Sequence, residues 1–474
     1  ALGVEPGANG SYFQSVPFRK TMPNAESTIT LTRAGAAPVV LRFGEEFITY
    51  GDPTTAEKIA EGDVVYAGFG ITAPDQKYDD YANLDVRGKV VAVFNGAPKR
   101  FPTELRAHYS SGLNKSQTAA AHGAIGLITV VAPKEDRAPW PRVVRQVKLG
   151  SMHWLEANGA PHAVDPRLSS SASFSKSGLE ALFTGSPAPL ADVTDAIEKG
   201  EPHPFALPVH ARMRFISAHQ DVKSPNVVGV VRGSDPKLRD EFIVYSAHLD
   251  HLGISEPVNG DAINNGALDN ASGIAAMLEV AEAFATAKSK PKRSIIFLAT
   301  TGEEKGLRGA DYFASNPTVP LDNLVANINI DEIMMLHETR DYVALGAETN
   351  DIGDAAARVA KTMNMEISPD PFPQEVFFVR SDQYPFVKQG VPAIYVYIGY
   401  KALDPKVDAM KEQEEWMHTR YHSPSDDMTQ VFDYAIAAKL ADFNYRLGLD
   451  VANAPNRPRW KPGNFFGETF GRRK

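Results

Sequence analysis

The stretch SIIFLATTGEEKGLRGADYF, Ser294–Phe313, decides the fold. Its opening run, Ser294–Ala299, is apolar and reads as a buried strand, and Gly306–Ser315 reads as a helix. Between them stand two adjacent acids, Glu303 and Glu304. Like charges repel, and charged side chains are seldom buried unpaired. The pair either turns into solvent or faces a cation.

The same strand-then-helix grammar recurs from Asn226 onward. NVVGVVRG, EFIVYSAHLD, NLVANINIDEIMM and VPAIYVYIGY read as buried strands, and Ala271–Lys288, Asp351–Met363 and Ser381–Gln389 read as helices between them. This alternation predicts an α/β protein with a mostly parallel, mixed sheet covered by helices on both faces. Asp63–Val131 differs in character. DVVYAGFGI, KVVAVFNG and GAIGLITVV read as strands, with a helix over KSQTAAAHGA, which gives a small unit of its own. From Ala132 to about His210 the periodicity weakens, and mostly loop is expected, with a short helix near Lys176–Phe183. The aromatic-rich RWKPGNFFGETFG is expected to pack on the larger domain, and the terminal RRK to be solvated.

Composition narrows the function classes. The chain has 474 residues, enough for two or three domains, and 43% hydrophobic residues, enough for sizeable cores. The net charge of −9 argues against a nucleic-acid footprint. No apolar run approaches the ~18 residues of a membrane span. With no cysteine, disulfides, thiolate ligands and a cysteine nucleophile are excluded, so any metal must be held by His, Asp and Glu. The chain begins ALGVEPGANG, which reads as a helix tail entering a loop, and a missing leader is expected.

The chemistry-bearing residues collect where the strands end. His248, Asp250 and His251 follow FIVYSA, Glu303 and Glu304 follow SIIFLATTG, and Asp331 follows LVANINI. In an open parallel sheet ligands bind beyond the carboxyl ends of the strands. Asp269 precedes an apolar-periodic helix, where it could equally cap the helix, as could Asn270 or Ser272. His422 lies on a loop containing Ser and Pro. Together His248, Asp269, Glu304, Asp331 and His422 make two imidazoles and three carboxylates. Five ligands are too many for one catalytic zinc and suit two metals roughly 3.5–4 Å apart with a bridging carboxylate. One acid of the Glu303–Glu304 pair can then bind metal while the other acts as general base.

SAHLDHLG, GALDNASGIAAMLEVA, TTGEEKGLRGADYF, NINIDEI and YHSPSDD resemble, in order, the motifs of the co-catalytic zinc peptidases of family M28, over roughly 226–443. YAGFGI, YANLDVRGKVVAVFNGAP and AAAHGAIGLITV resemble a protease-associated (PA) domain inserted in such enzymes. The resemblance implies a zinc-exopeptidase fold over 1–50 and 215–474, interrupted by a β-rich PA-type domain over 51–214. It implies two zinc ions: His248 and Asp331 on one, Glu304 and His422 on the other, Asp269 bridging. It implies Glu303 as general base, Asp250 orienting the His248 imidazole, and the Tyr421 hydroxyl steadying the oxyanion. Arg380, before Ser-Asp, matches a substrate-recognition position of the aminopeptidase members, and Gln383 stands where many relatives carry His. The implied reaction is hydrolysis of the N-terminal bond of a peptide, with terminal amine recognition chiefly by Glu303, in the periplasm or outside the cell. Other outcomes are a carboxypeptidase or dipeptidase, a single-zinc glutaminyl cyclase, and a receptor-like protein without catalysis. The ordinary role for Arg380 is an ion pair with Asp382, and for His251 a helper or packing residue.

Overall fold

The computed structural model describes residues 3–131, 139–168, 170–373 and 375–472. The chain forms two compact units, one made of Ala1–Val16 with Lys223–Lys474 and the other of Pro17–Val222.

The first unit is built on a mixed sheet. Phe242–His248 lies between Ser294–Thr300 and Leu324–Asn329, parallel to both, and Ala393–Ile398 extends the parallel set. Antiparallel strands flank this core: residues 227–231 on one side, and Asp341–Leu345 on the other, which pairs in turn with Glu366–Ser368. Glu5–Pro6 closes the first edge on Gly229 and Val230, so the expected helix tail is strand over these two residues.

Both faces of the sheet are covered, as a run buried on both sides requires. Ile243, Tyr245 and Ala247 pack with residues of the helices Gly273–Thr286, Asp351–Thr362 and Tyr434–Asn453. Their neighbours Phe242 and Val244 point the other way, onto Ala310, Phe313 and Phe386 of the helices Arg308–Ser315 and Gln383–Lys388. The aromatic tail packs here too: Phe466 is fully buried against Phe378 and Trp460. Arg472, expected in solvent, donates to the carbonyls of Gln389 and Leu321.

The second unit carries a parallel set of four strands. Glu57–Tyr66, Val90–Phe94, Gly126–Val130 and Ser170–Phe174 lie side by side and parallel. The domain boundary expected from sequence is displaced at both ends. Residues 17–50 belong to this unit because Thr28–Thr32 pairs with 210–214 and Phe47–Ile48 with Ser173 and Phe174. Residues 215–222 belong to it as well: Phe215 and Ile216 pair with Lys58 and Glu57, and Arg19 bonds Asp221 at 2.8 Å. The stretch read as mostly loop holds, besides Lys176–Phe183, the helices Trp140–Lys148 and Leu190–Lys199 and the strands Ser151–Trp154 and Ser170–Phe174. Leu190–Lys199 buries only Val193 and Ile197, too sparse a stripe to show as periodicity, although Pro189 and Gly200 mark its ends. Residues 132–138 of that stretch lie outside the described residues.

Candidate metal centre

Because three of the strands run parallel, their carboxyl ends share one edge of the sheet. His248 is the last residue of its strand, and Glu303–Glu304 and Asp331–Glu332 follow the next two. Asp269 lies in the turn before helix Gly273–Thr286, joined to Asn270 by a cis peptide bond. His422 comes from the loop after helix Ala409–Thr419.

The structure brings the five predicted ligands together. His248 Nε2 lies 3.1 Å from Asp269 Oδ1 and 3.1 Å from Asp331 Oδ1. His422 Nε2 lies 3.3 Å from Asp269 Oδ2 and 3.0 Å from Glu304 Oε2. Asp269 therefore offers one oxygen to each imidazole. It is not the helix cap: the Gly273 amide donates to Asn270 Oδ1 at 3.0 Å.

His251 was read as a helper, yet its Nδ1 lies 2.7 Å from Glu304 Oε1. His251, Asp269 and Glu304 form a second donor triangle beside that of His248, Asp269 and Asp331. A His three residues after the strand carried no spacing signal that set it apart from a packing residue.

Charge in this buried space is strongly biased. Burial lowers the proton affinity of His248, but Asp331 and Glu303 overcome it and hold the imidazole well above its ordinary range. His422 is also disfavoured by burial yet is pushed up to about 9, first by Glu304. Burial would raise the Asp269 carboxyl, but His248 and His422 hold it far below the usual carboxylate range. Glu304, likewise buried and crowded by Asp269, is drawn down to about 2 by His422 and His251. Glu303 goes the other way: burial, and then Glu304 and Asp331, raise it well above normal against the pull of His248. The adjacent acids thus sit in opposite proton environments.

Supporting contacts differ from expectation in two places. The His248 Nδ1 partner is the Asp250 backbone carbonyl, 3.0 Å away, not its carboxylate. The Asp250 carboxylate instead accepts from the amides of Glu303 at 3.0 Å and Glu304 at 3.4 Å, which fixes the turn carrying both acids. Arg380 does not pair with Asp382. Its guanidinium meets the Glu375 carbonyl at 3.2 Å, the Glu375 carboxylate at 3.5 Å and the face of Phe377, while Asp382 accepts from Thr300. Gln383 is buried and donates to the Phe378 carbonyl. Tyr421 stacks on His422 with ring centroids 3.7 Å apart.

Sequence reasoning missed several supporting residues. Asp426 is fully buried and accepts from the amides of Leu268 and Asp269, which ties the Asp269 turn to the His422 loop. Asn270 donates to the Ile330 carbonyl, and Ser381 donates to Asp331 at 2.5 Å. The Asp-Asp dipeptide that ends YHSPSDD was the available signal for Asp426. Asn270 reads in sequence only as a possible helix cap, and Ser381 has no signal beyond adjacency.

His248, Asp269, Glu303, Asp331, Glu332, Arg380, Tyr421 and His422 line one narrow cavity of about 30 Å³.

Comparison with known proteins adds the decisive observation: residues 226–447, which contain every residue of this cluster, match the model of peptidase family M28. This region, similar to the M28 peptidases, is referred to as the M28 domain. The chain is 26% identical over 246 residues to a "Probable zinc metalloprotease" of Pyrenophora teres, covering 50% of each chain. It is 28% identical over 267 residues to a protein of the same description from Pyricularia oryzae, covering 50% of this chain and 52% of that one. It thus spans about half the length of these curated relatives. Among solved structures, an aminopeptidase from Aneurinibacillus sp. strain AM-1 superposes with a TM-score of 0.51 at 18% identity, covering 97% of this chain and 87% of that chain.

The donor set of the M28 domain fits cations. Asp269 Oδ2, Glu304 Oε1, Asp331 Oδ1 and both His251 nitrogens are buried, and the close approaches among these imidazoles and carboxylates lack hydrogen-bond geometry. Buried polar atoms are almost always satisfied, so several orphans pointing at one space call for a missing partner. Imidazole and carboxylate together are the ligands zinc takes when thiolate is absent.

Proposed function

We propose that this chain is a zinc-dependent aminopeptidase that hydrolyses the first peptide bond of peptides. The observation that carries the reading is the sharing of Asp269 between two imidazoles, each with a further carboxylate of its own, beside Glu303, which neither imidazole engages. His248 and Asp331 would hold one zinc ion, Glu304 and His422 the other, and Asp269 both, with His251 an additional donor on the Glu304 side. When bound, the ions supply Lewis acidity toward the scissile carbonyl and the attacking water.

The remaining steps belong to the chain's own residues. Glu303 lines the cavity and has a raised proton affinity, which suits taking a proton from water and returning it to the leaving amine. Tyr421 lines the same cavity, which supports a role in donating to the oxygen that becomes charged. Arg380 lies on the cavity wall, held by Glu375, and offers a fixed positive charge to the substrate backbone. A cavity so rich in carboxylate favours the end of a peptide that carries an ammonium group, which supports cleavage from the amino terminus.

The test is hydrolysis of short peptides with free or N-acetylated amino termini by zinc-loaded protein, with a chelator control. Cleavage of the free-amine set alone, abolished by chelator, is expected. Cleavage of the acetylated set would make the protein a carboxypeptidase. Cleavage of neither would point to the cyclase or to a role without catalysis.

A further inference from the structure

The charges in the cavity leave one residue unassigned. Asp269 and Asp331 are engaged by His248, Asp331 also by Ser381, and Glu304 by His251 and His422. Glu303 is the proton acceptor of the proposed reaction. Arg380 is committed to Glu375. Glu332 lines the same cavity, and no hydrogen bond or ion pair among the described residues holds its carboxylate. Its backbone is unusual: φ is +40°, a left-handed conformation that costs a non-glycine residue energy, and its amide is fixed by Asn270 Oδ1 at 3.2 Å. The chain therefore spends strain to present a carboxylate into a catalytic cavity from the residue next to Asp331.

We propose that Glu332, rather than Glu303, receives the free ammonium group of the substrate. The inference rests on the aminopeptidase reading and deepens it. An ammonium leaving water needs a counter-charge, and a carboxylate paired with it is not available to the attacking water. Dividing the tasks leaves Glu303 free to accept a proton. The size of the cavity, about 30 Å³, suits a compact cation rather than a long side chain. Glu332 is thus a positioning and specificity residue: it selects peptides with an unblocked amino terminus and sets their first residue against the metal centre.

The experiment compares wild type with Glu332→Gln and Glu332→Asp, all zinc-loaded. On free-amine peptides Glu332→Gln is expected to raise KM by ~10-fold or more, the loss of a charge-assisted hydrogen bond, with kcat changed far less. Glu332→Asp should recover part of that loss. Zinc content should stay at the wild-type value. Calorimetric binding of leucine and of its des-amino analogue, 4-methylpentanoate, gives a readout independent of turnover. Wild type should prefer leucine, and Glu332→Gln should bind both alike. Unchanged leucine preference in Glu332→Gln would overturn the proposal whatever the kinetics. A wild type that prefers leucine and loses that preference in Glu332→Gln, yet cleaves no peptide, would uphold Glu332 as the ammonium site and overturn the aminopeptidase reading instead.

Discussion

At the scale of single residues, two neighbours in sequence have been given opposite duties by their surroundings. Glu304 is held ionised by His422 and His251, whereas Glu303 is crowded by carboxylates and keeps its proton longer. Glu303→Gln is therefore expected to retain the wild-type zinc content by elemental analysis while kcat falls by roughly 10²–10⁴, the range of a lost general base. Loss of metal in that variant would exchange the roles of the two acids. Asp269 is the residue common to both imidazoles, so Asp269→Ala should strip zinc altogether, whereas His422→Ala should remove only part of it. Retention of full zinc by Asp269→Ala, measured in the same way, would refute the shared position. The gathering of His248, Glu304 and Asp331 was legible because acids and imidazoles after apolar runs are rare in ordinary strands. Asp250 was legible as important but not in its task, since a sequence cannot say whether a backbone carbonyl or a carboxylate reaches an imidazole. His251 was passed over for the same reason: direction, not identity, separates a donor from a packing residue.

Elements show where periodicity suffices and where it fails. Four helices of the M28 domain stand within two residues of their expected ends, because each carries a clear apolar stripe between turn residues. Asp341–Leu345, Glu366–Ser368 and the long helix Tyr434–Asn453 were not expected, the first two being short and the last lying beyond the motifs that drew attention. That helix packs against the sheet by an unusually close approach. Tyr245 is fully buried, its hydroxyl donates to the Asn444 carbonyl at 2.6 Å, and a Cβ on Gly448 would stand 2.0 Å from that hydroxyl. Gly448→Ala improves intrinsic helix propensity by ~1 kcal/mol, but overpacking costs ~1–3 kcal/mol and disturbs the Tyr245 bond. The net expectation is a lower midpoint in denaturant, with Tyr245→Phe/Gly448→Ala recovering part of the loss. A midpoint at or above wild type for Gly448→Ala would show that the helix simply shifts.

Over the whole molecule, all the candidate metal ligands belong to one of the two units. Ligand binding stabilises only the fold that binds, so chelation should lower the calorimetric transition of the M28-bearing unit and leave that of residues 17–222 in place. A parallel drop of both transitions would contradict this. The second unit has a pH signature of its own. Lys115 is fully buried, with Nζ donating to the Phe69 carbonyl at 2.5 Å and the Gly96 carbonyl at 2.7 Å. Burial, opposed by Asp80, brings it down from 10.5 to about 7. Between those values the unfolded chain holds a proton that the folded one lacks, so stability rises with pH through that window. Asp80, raised from 3.8 to about 6 by burial, acts in the opposite sense over its own lower window. Lys115→Met should remove roughly 2–4 kcal/mol of the rise between neutral and alkaline pH, read as the difference from wild type. An unchanged pH slope would mean that Lys115 stays protonated when folded. The domain boundary was the part of the architecture least visible in the sequence, because it depends on which distant strand a segment such as Thr28–Thr32 pairs with.

The pairing of Glu5 with Val230 has a consequence for how the protein is made. The first strand leaves the ribosome long before its partner exists. At ~5–20 residues per second the wait is on the order of tens of seconds. Residues 17–222, in contrast, are one uninterrupted stretch and hold the whole parallel set Glu57–Tyr66, Val90–Phe94, Gly126–Val130 and Ser170–Phe174. The inserted unit is therefore the first to mature on the ribosome, and the unit that carries the candidate metal centre must keep its leading edge unpaired, within reach of chaperones, until the newborn chain has passed the insertion.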